Sequence, residues 1–326
     1  MQKRVVFVLE SSSISGGVRV IYEYATALAG RGWSVEIYSL SKPPKWFKLQ
    51  GVSWRQFVDY RAMGRVISGD ECPVVATWWQ TTGVVSHNAR YGYYLVQDIE
   101  SYYYIREAAR RAVLNTYLPE TGLKIIVSDP WPYEQLRTVL GRPDAIYVGL
   151  GLRTDVYRVL DIKRADKAVG AISRIQALKG YSELGEYARR IRPLGLSLFT
   201  FGAHPPRFGE KHYKNLSDEG VVRFYNSMGL FVSTSNHEGF GLSMLEAMAC
   251  GTPVVCTDAD GNMAFCKHEE NCLVVPRGDM IALAEATKRM LSDDDLRAQC
   301  VAGGLDTAQE WPWEPCFDRL EAALTN

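Results

Sequence analysis

At 326 residues the chain is long enough for two domains with separate cores. A composition of 47% hydrophobic and 23% charged residues is that of a folded globular protein and sets aside a disordered chain. A formal net charge of zero argues against a nucleic-acid binder that relies on a broad basic surface.

The first segment, Met1-Gln2-Lys3-Arg4 followed by the apolar run Val5 to Leu9, does not read as a secretory signal. The run is short, and Glu10 and a row of serines end it. No stretch approaches the length of a membrane-spanning helix. Of seven cysteines six lie in the second half, and none form a Cys-x-x-Cys. They read as reduced, structural thiols of a cytoplasmic protein.

Val5 to Leu9 reads as a buried parallel strand. The loop Ser11 to Gly17 follows, then an amphipathic helix over about Val18 to Ala29 and a strand over Val35 to Leu40. The glycines Gly16 and Gly17 at the loop-to-helix junction allow a ligand close to the backbone; the competing reading is a glycine pair that eases helix entry. The motif is not G-x-G-x-x-G and lacks the acidic ribose residue, so a dinucleotide site is not expected here. Lys42 to Lys48 reads as a loop. Helix and strand then alternate: Arg61 to Ile67, Val74 to Thr77, Thr81 to Ala89, Tyr93 to Val96. Gln97 and Asp98 stand at the carboxyl end of that last strand, where open α/β sheets meet ligands. Tyr102 to Tyr104 with Arg106, Arg110 and Arg111 reads as a helix, either a solvated face or a contact for an anionic acceptor or lipid headgroup. Leu123 to Val127 and Ala145 to Val148 read as the last strands of the first domain, and Gly149-Leu150-Gly151 as a hinge.

The second domain opens with the strand Ala168 to Ile172 and a turn that carries Arg174 and Lys179. Two cations at a strand's carboxyl end can converge on one anion; the guanidinium fork and the ammonium point charge suit a diphosphate. The competing reading is ordinary surface charge. A helix from Tyr181 to about Ile191, a strand Leu196 to Phe201 and a loop Ala203 to Lys214 follow, then a helix opened by Ser217-Asp218-Glu219. Next comes the apolar strand Gly229 to Ser233, the glycine turn Glu238-Gly239-Phe240-Gly241, a helix to about Cys250 ended by Gly251, and the strand Pro253 to Cys256. Strand, glycine turn and helix make an anion site from free backbone N–H groups and the helix dipole. Glu246 is the sole charged residue between Gly239 and Thr257, and a carboxylate there is costly to bury without a hydrogen-bond partner. With Glu238 it flanks the cradle, which suggests a ligand bearing both phosphate and hydroxyl groups, such as a nucleotide sugar. Leu273 to Val275 reads as a late strand. Helices are read over Asp279 to Leu291, Asp293 to about Ala308 and, after the Trp311-Pro312-Trp313 break, Glu314 to Leu324.

Glu238-Gly239-Phe240-Gly241, Glu246 after seven intervening residues, and Ala247-Met248-Ala249-Cys250-Gly251-Thr252-Pro253-Val254-Val255 resemble the signature of glycosyltransferase family 4. Arg174 and Lys179 fit that family's basic pair. Asn271 to Pro276 with Gly278-Asp279 resembles its N-G-L-L-V-P-x-G-D stretch. The resemblance covers most of the second half; the first half matches in outline. It implies an α/β chain of the GT-B fold: two Rossmann-like domains facing a central cleft, residues 1–150 on the acceptor side, 151–308 on the nucleotide-sugar donor side, and a C-terminal helix in 309–326 crossing back to the first domain.

The implied activity is retaining transfer of a hexosyl or deoxyhexosyl group from a nucleotide diphosphate sugar to an acceptor hydroxyl in glycan or glycoconjugate biosynthesis. Glu238, Arg174 and Lys179 would be the catalytic set: Glu238 contacts sugar hydroxyls, and the two cations hold the diphosphate. Gly239, Phe240 and Gly241 would add backbone N–H groups, Leu242 would line the nucleotide site, Glu246 would bind the ribose hydroxyls, and Gly16 and Gly17 would approach the donor phosphates. No cofactor and no metal are expected, with His237, His268 and the cysteines structural. Partners are the donor and a glycan, lipid-linked or small-molecule acceptor, with no nucleic acid; peripheral membrane contact is an alternative to a wholly cytoplasmic location. Many family members carry a His-Asp pair where Gln97-Asp98 stands. Glutamine can hydrogen-bond a sugar or acceptor hydroxyl but cannot become a cation, so the register, the mode of sugar contact or a donor lacking a 6-hydroxyl differs. Alternative readings are a GT-B sugar-nucleotide epimerase or phosphorylase, a periplasmic-type binding protein, and a non-catalytic nucleotide-sugar-binding partner.

Overall fold

The computed structural model describes residues 3–325; Met1 and Gln2 of the N-terminal segment, and Asn326, lie outside the described residues. The chain divides into two compact units, residues 1–150 with 314–326, and residues 151–313.

The first unit is built from β1 (Arg4–Leu9), α1 (Gly16–Gly30), β2 (Ser34–Ser39), β3 (Val52–Gln56), α2 (Tyr60–Ile67), β4 (Pro73–Ala76), α3 (Trp79–Asn88), β5 (Tyr91–Val96), α4 (Glu107–Asn115), β6 (Lys124–Val127), α5 (Pro130–Thr138) and β7 (Ile146–Tyr147). Its seven strands are parallel, in the order β3-β2-β1-β4-β5-β6-β7. Central strands of a parallel sheet are covered on both faces, so they must be apolar throughout. Val5, Val6, Phe7 and Val8 of β1 are accordingly buried, as are Val74, Val75 and Ala76 of β4.

The second unit comprises β8 (Ala165–Ile172), α6 (Tyr181–Ile191), β9 (Ser197–Gly202), β10 (Lys211–Lys214), α7 (Asp218–Ser227), β11 (Met228–Ser233), α8 (Leu242–Ala249), β12 (Val254–Thr257), β13 (Leu273–Val275), α9 (Met280–Ser292) and α10 (Asp294–Gln309). Its six parallel strands run β10-β9-β8-β11-β12-β13. The helix α11 (Glu314–Thr325) belongs to the first unit, where it packs on α1: Arg31 pairs with Glu314 and Asp318 at 2.6 Å each, and Trp33 Nε1 donates to Glu321 at 3.2 Å. Under those surface pairs lie Phe317 and Leu320, with the Phe317 ring 6.1 Å from that of Tyr24.

Several elements differ from the sequence reading. The edge strand β10 stands where a loop was expected, and β3 lies in a stretch to which no element was assigned. Each is half exposed, so neither shows a buried run. The helix α5 begins Pro130-Trp131-Pro132, and prolines in a first turn remove only N–H groups that have no helical partner. Tyr102 to Tyr104 do not share a helix with the arginines: Glu100–Tyr103 is a 3-10 turn, Tyr104 is extended, and α4 starts at Glu107. The return to the first unit starts at 314 rather than 309, because Trp311 O accepts from Leu152 N at 2.8 Å and the Trp311 ring packs 4.7 Å from Phe240. No helix among the described residues is long and apolar enough to cross a membrane.

Leu320 has no exposed surface. Its truncation in Leu320→Ala is expected to cost about 2–5 kcal/mol of first-unit stability, read as a lower denaturation midpoint. Asp318→Ala, at the exposed end of an ion pair, changes it by less than about 1 kcal/mol.

Candidate active site

In each sheet the chain reverses its direction of travel between two neighbouring strands, β1 and β4 in the first unit, β8 and β11 in the second. The loops leaving the carboxyl ends of such strands diverge to opposite faces and leave a crevice where ligands bind. In the second unit that crevice is a cavity lined by Ile172 at the end of β8, by Arg174 and Lys179 after it, by Thr234, Ser235 and Glu238 after β11, and by Ser243 on α8.

The two loops are locked together. Gly180 has φ +66°, and a Cβ there would stand 1.8 Å from Thr234 O, so no larger residue fits. Thr234 Oγ1 donates to Gly180 O at 2.9 Å, and Leu178 O accepts from Asn236 N at 2.8 Å and His237 N at 3.0 Å. This places Lys179 inside: its Nζ donates to Glu238 Oε2 at 2.7 Å and to His237 O at 3.0 Å. The other carboxylate oxygen accepts from Ser235 Oγ at 2.7 Å. Both side chains of the ion pair are more than nine-tenths buried. Burial pushes the Glu238 carboxyl upward, but the charges of Lys179 and Arg174 and the hydrogen bonds of Lys179 and Ser235 prevail and bring its pKa down to about 2. Arg174 makes no ion pair among the described residues, so its half-buried guanidinium is the positive charge of the cavity that Glu238 does not neutralise by contact.

At the far side of the turn Gly241 is left-handed, φ +98°, and caps α8. A Cβ on it would meet Met244 Cε at 2.5 Å and Asn262 Cβ at 3.1 Å. No acidic residue occupies the first turn of α8, so its positive end is uncompensated. The Phe240 side chain is not part of the cavity. It is buried against Phe265 and Trp311, ring centroids 5.0 and 4.7 Å away, and anchors the turn from behind. Leu242 is half buried and does not line the cavity, whereas the neighbouring Ser243 does. Glu246 accepts from Tyr225 Oη at 2.9 Å. Burial holds the Tyr225 phenol well above its ordinary pKa, so it stays a donor. The carboxylate's partner is thus a helix residue of the same unit, and the burial cost anticipated for an isolated carboxylate is relieved without ligand.

The sequence reading missed Ser235 and Tyr225; His237, read as structural, braces the turn. His237 Nδ1 lies 2.7 Å from Asp260 Oδ2, and Arg277 holds the other Asp260 oxygen at 2.8 Å. Burial pushes Asp260 up, while Arg277 and His237 more than offset it and lower its pKa. These partners keep Asp260, a non-glycine residue at φ +63°, beside Glu238, whose O accepts from Gly261 N at 2.9 Å. No spacing in the sequence joins residues 237, 260 and 277. Equally invisible was a group of three buried cysteines, Cys256, Cys266 and Cys272, whose sulfurs lie within 4.8 Å of one another.

In the first unit the structure brings Gly17 and Gln97 together: a Cβ on Gly17 would lie 3.3 Å from Gln97 Oε1. Gly16 opens α1, where Ser15 Oγ accepts from Val18 N at 3.1 Å. Asp98 does not share this role. It is buried and accepts from Tyr103 Oη at 2.6 Å and Ile99 N at 2.8 Å, holding the turn after β5.

Residues 210–306, which contain the glycine turn, α8 and Glu246, match the family model described as "Glycosyl transferases group 1". Over the whole chain the similarity is one of structure. Anabaena HepE, solved in complex with UDP and glucose, superposes with a TM-score of 0.83 at 16% identity and 100% coverage of both chains. Sucrose-phosphate synthase from Thermosynechococcus elongatus gives 0.81 at 17% identity, covering 99% of this chain and 98% of that one. The fold is that of GT-B glycosyltransferases. Among curated proteins, the lipopolysaccharide core biosynthesis glycosyltransferase LpsE of Rhizobium meliloti is 31% identical over 175 residues, 49% of this chain and 50% of its own. A D-inositol 3-phosphate glycosyltransferase of Corynebacterium urealyticum is 30% identical over 185 residues, 50% and 44% respectively. The chain spans half or less of the length of these relatives.

Because the folded-state pKa of Glu238 is depressed, its contribution to stability is full above the ordinary glutamate range and is lost as pH falls from about 5 toward 2. Lys179→Met leaves the carboxylate buried without its partner and should cost about 3–5 kcal/mol. Its acid-unfolding midpoint, followed by tryptophan fluorescence, is expected at higher pH than that of the wild type.

Proposed function

We propose that this chain is a retaining glycosyltransferase that moves a sugar from a nucleotide diphosphate donor to an acceptor hydroxyl in glycan or glycoconjugate biosynthesis. The observation that carries the reading is the second-unit cavity: Arg174, the uncompensated N-terminus of α8 and the Lys179–Glu238 pair converge on one crevice at the sheet's reversal point. Such a site receives an anion and a polyhydroxyl group together. The complex of HepE with UDP and glucose supports the same donor class.

In the proposed reaction the bond between the anomeric carbon and the diphosphate oxygen breaks, and negative charge grows on the departing nucleotide diphosphate. Arg174 and the α8 backbone N–H groups, near Gly239 to Gly241, stabilise that charge by being in place beforehand. Lys179 serves both partners: in the free protein it is held by Glu238, and the incoming diphosphate competes for its ammonium. Glu238 turns the freed oxygen toward the sugar hydroxyls. A phosphate oxygen of the leaving group accepts the acceptor's proton as the new glycosidic bond forms on the same face. The transfer is assigned to the protein's own cations without a catalytic metal. Glu246, oriented by Tyr225, binds the ribose hydroxyls through its remaining acceptor capacity. Gly16 and Gly17 of the first unit are assigned to the donor phosphates, and Gln97 to sugar or acceptor contact. Arg106, Arg110 and Arg111 remain a proposed peripheral contact with an anionic membrane surface.

Nucleotide release is measured with UDP-, GDP-, ADP- and dTDP-sugars, each with candidate acceptors, after a thermal-shift panel of the free diphosphates selects the base. Arg174→Ala is expected to lower kcat by about 10²–10³; unchanged turnover would remove Arg174 from the mechanism. Tyr225→Phe, which removes the hydrogen bond that orients Glu246, is expected to alter KM for the donor with little change in kcat. Nucleotide binding without turnover on any acceptor would favour a non-catalytic binding partner.

A further inference from the structure

The group of three cysteines lies on three separate backbone segments. Cys256 is in β12, Cys266 follows the 3-10 turn Gly261–Ala264, and Cys272 directly precedes β13. All three are buried, at 0%, 2% and 0% exposure. Their sulfurs lie within 4.8 Å of one another, with Cys256 and Cys266 at 3.8 Å. Tetrahedral thiolates about 2.3 Å from one zinc ion stand about 3.8 Å apart, so the widest pair needs to close by at most about 1 Å.

A polar group nearby lacks a partner. Asn262 has no exposed surface, and its Nδ2 donates to Thr257 O at 2.9 Å and lies 3.5 Å from Cys256 Sγ. Its Oδ1 has no hydrogen-bond partner among the described residues. A buried amide oxygen without a partner costs free energy. Ordinary packing explains a buried cysteine taken singly, but it does not account for the convergence of three sulfurs from three segments, beside a buried amide whose oxygen is unsatisfied.

We propose that Cys256, Cys266 and Cys272 bind a zinc ion through their three thiolates. Binding exchanges the three thiol protons for the metal, and the protons pass to solvent. Zinc neutralises two of the three thiolate charges; copper(I) would neutralise one, and burial disfavours the larger residual charge. The ion ties β12 and β13 to the segment between them. That segment carries Asp260 and Gly261, and its Ala259 O accepts from Glu238 N at 2.8 Å. The site is therefore structural, a brace behind the glycine turn, and it takes no part in the transfer chemistry.

The test uses the full chain purified under reducing, anaerobic conditions. Metal content is measured by elemental analysis, and cobalt(II) is added to chelator-treated protein as a spectroscopic probe. The expected results are one zinc per chain, tetrahedral cobalt–thiolate absorption, and a melting temperature raised by zinc over chelator. Cys266→Ser and Cys272→Ser abolish the cobalt spectrum, while Cys72→Ser and Cys316→Ser in the other unit retain it. Where a site variant fails to fold, wild-type metal content and cobalt spectrum decide. Wild-type protein that takes up neither metal, binds copper(I) to the exclusion of zinc, or keeps its zinc in both site variants overturns the proposal.

Discussion

The second unit depends on one buried ion pair. Lys179 and Glu238 come from loops after different strands, 59 residues apart, and meet at 2.7 Å in a place nearly shut off from water. Two charges are costly to desolvate, and such a pair survives where its remaining valences are filled. Here they are: Ser235 takes the second carboxylate oxygen, and His237 O takes a second ammonium proton. The pair in turn requires the loops to touch. That requirement is met at Gly180 and Thr234, where one glycine permits the backbones to approach.

From this constraint the rest of the cavity follows. With Lys179 held by Glu238, Arg174 remains the cation that has no contact partner among the described residues, and the α8 terminus adds its partial charge without opposition. The glycine turn is anchored by aromatic packing: the Phe240 ring is buried against Phe265 and Trp311 and does not line the cavity. Asp260, strained and braced by His237 and Arg277, fixes the opposite wall through the pairing of residues 259–261 with Glu238. Each of these supports joins segments distant in sequence.

The central strands were legible because a parallel sheet covered on both faces demands continuous apolar runs, as in Val5 to Leu9 and Gly229 to Ser233. The edge strands β3 and β10 were not, since one exposed face admits Ser53, Arg55 and Lys211. Arg174, Lys179, Glu238 and Ser235 could be assembled only by the fold. The spacing within each loop marks the first three, and nothing in the sequence marks Ser235. Glu246 was noticed for its isolation in an apolar helix, and the structure supplies its companion from Tyr225.

By itself, then, the sequence determined the alternation of strands and helices, the division near residue 150, and the chemical character of the turn from Glu238 to Gly241. Those are local properties: hydrophobic period, glycine at a left-handed position, and charge within one segment. The tertiary structure decided which carboxylate Lys179 meets, that Asp98 holds a turn, that the Phe240 ring faces inward, and that three cysteines converge. Those outcomes depend on strand order, which brings the ends of β8, β11, β12 and β13 side by side, and strand order is settled by packing across the whole sheet.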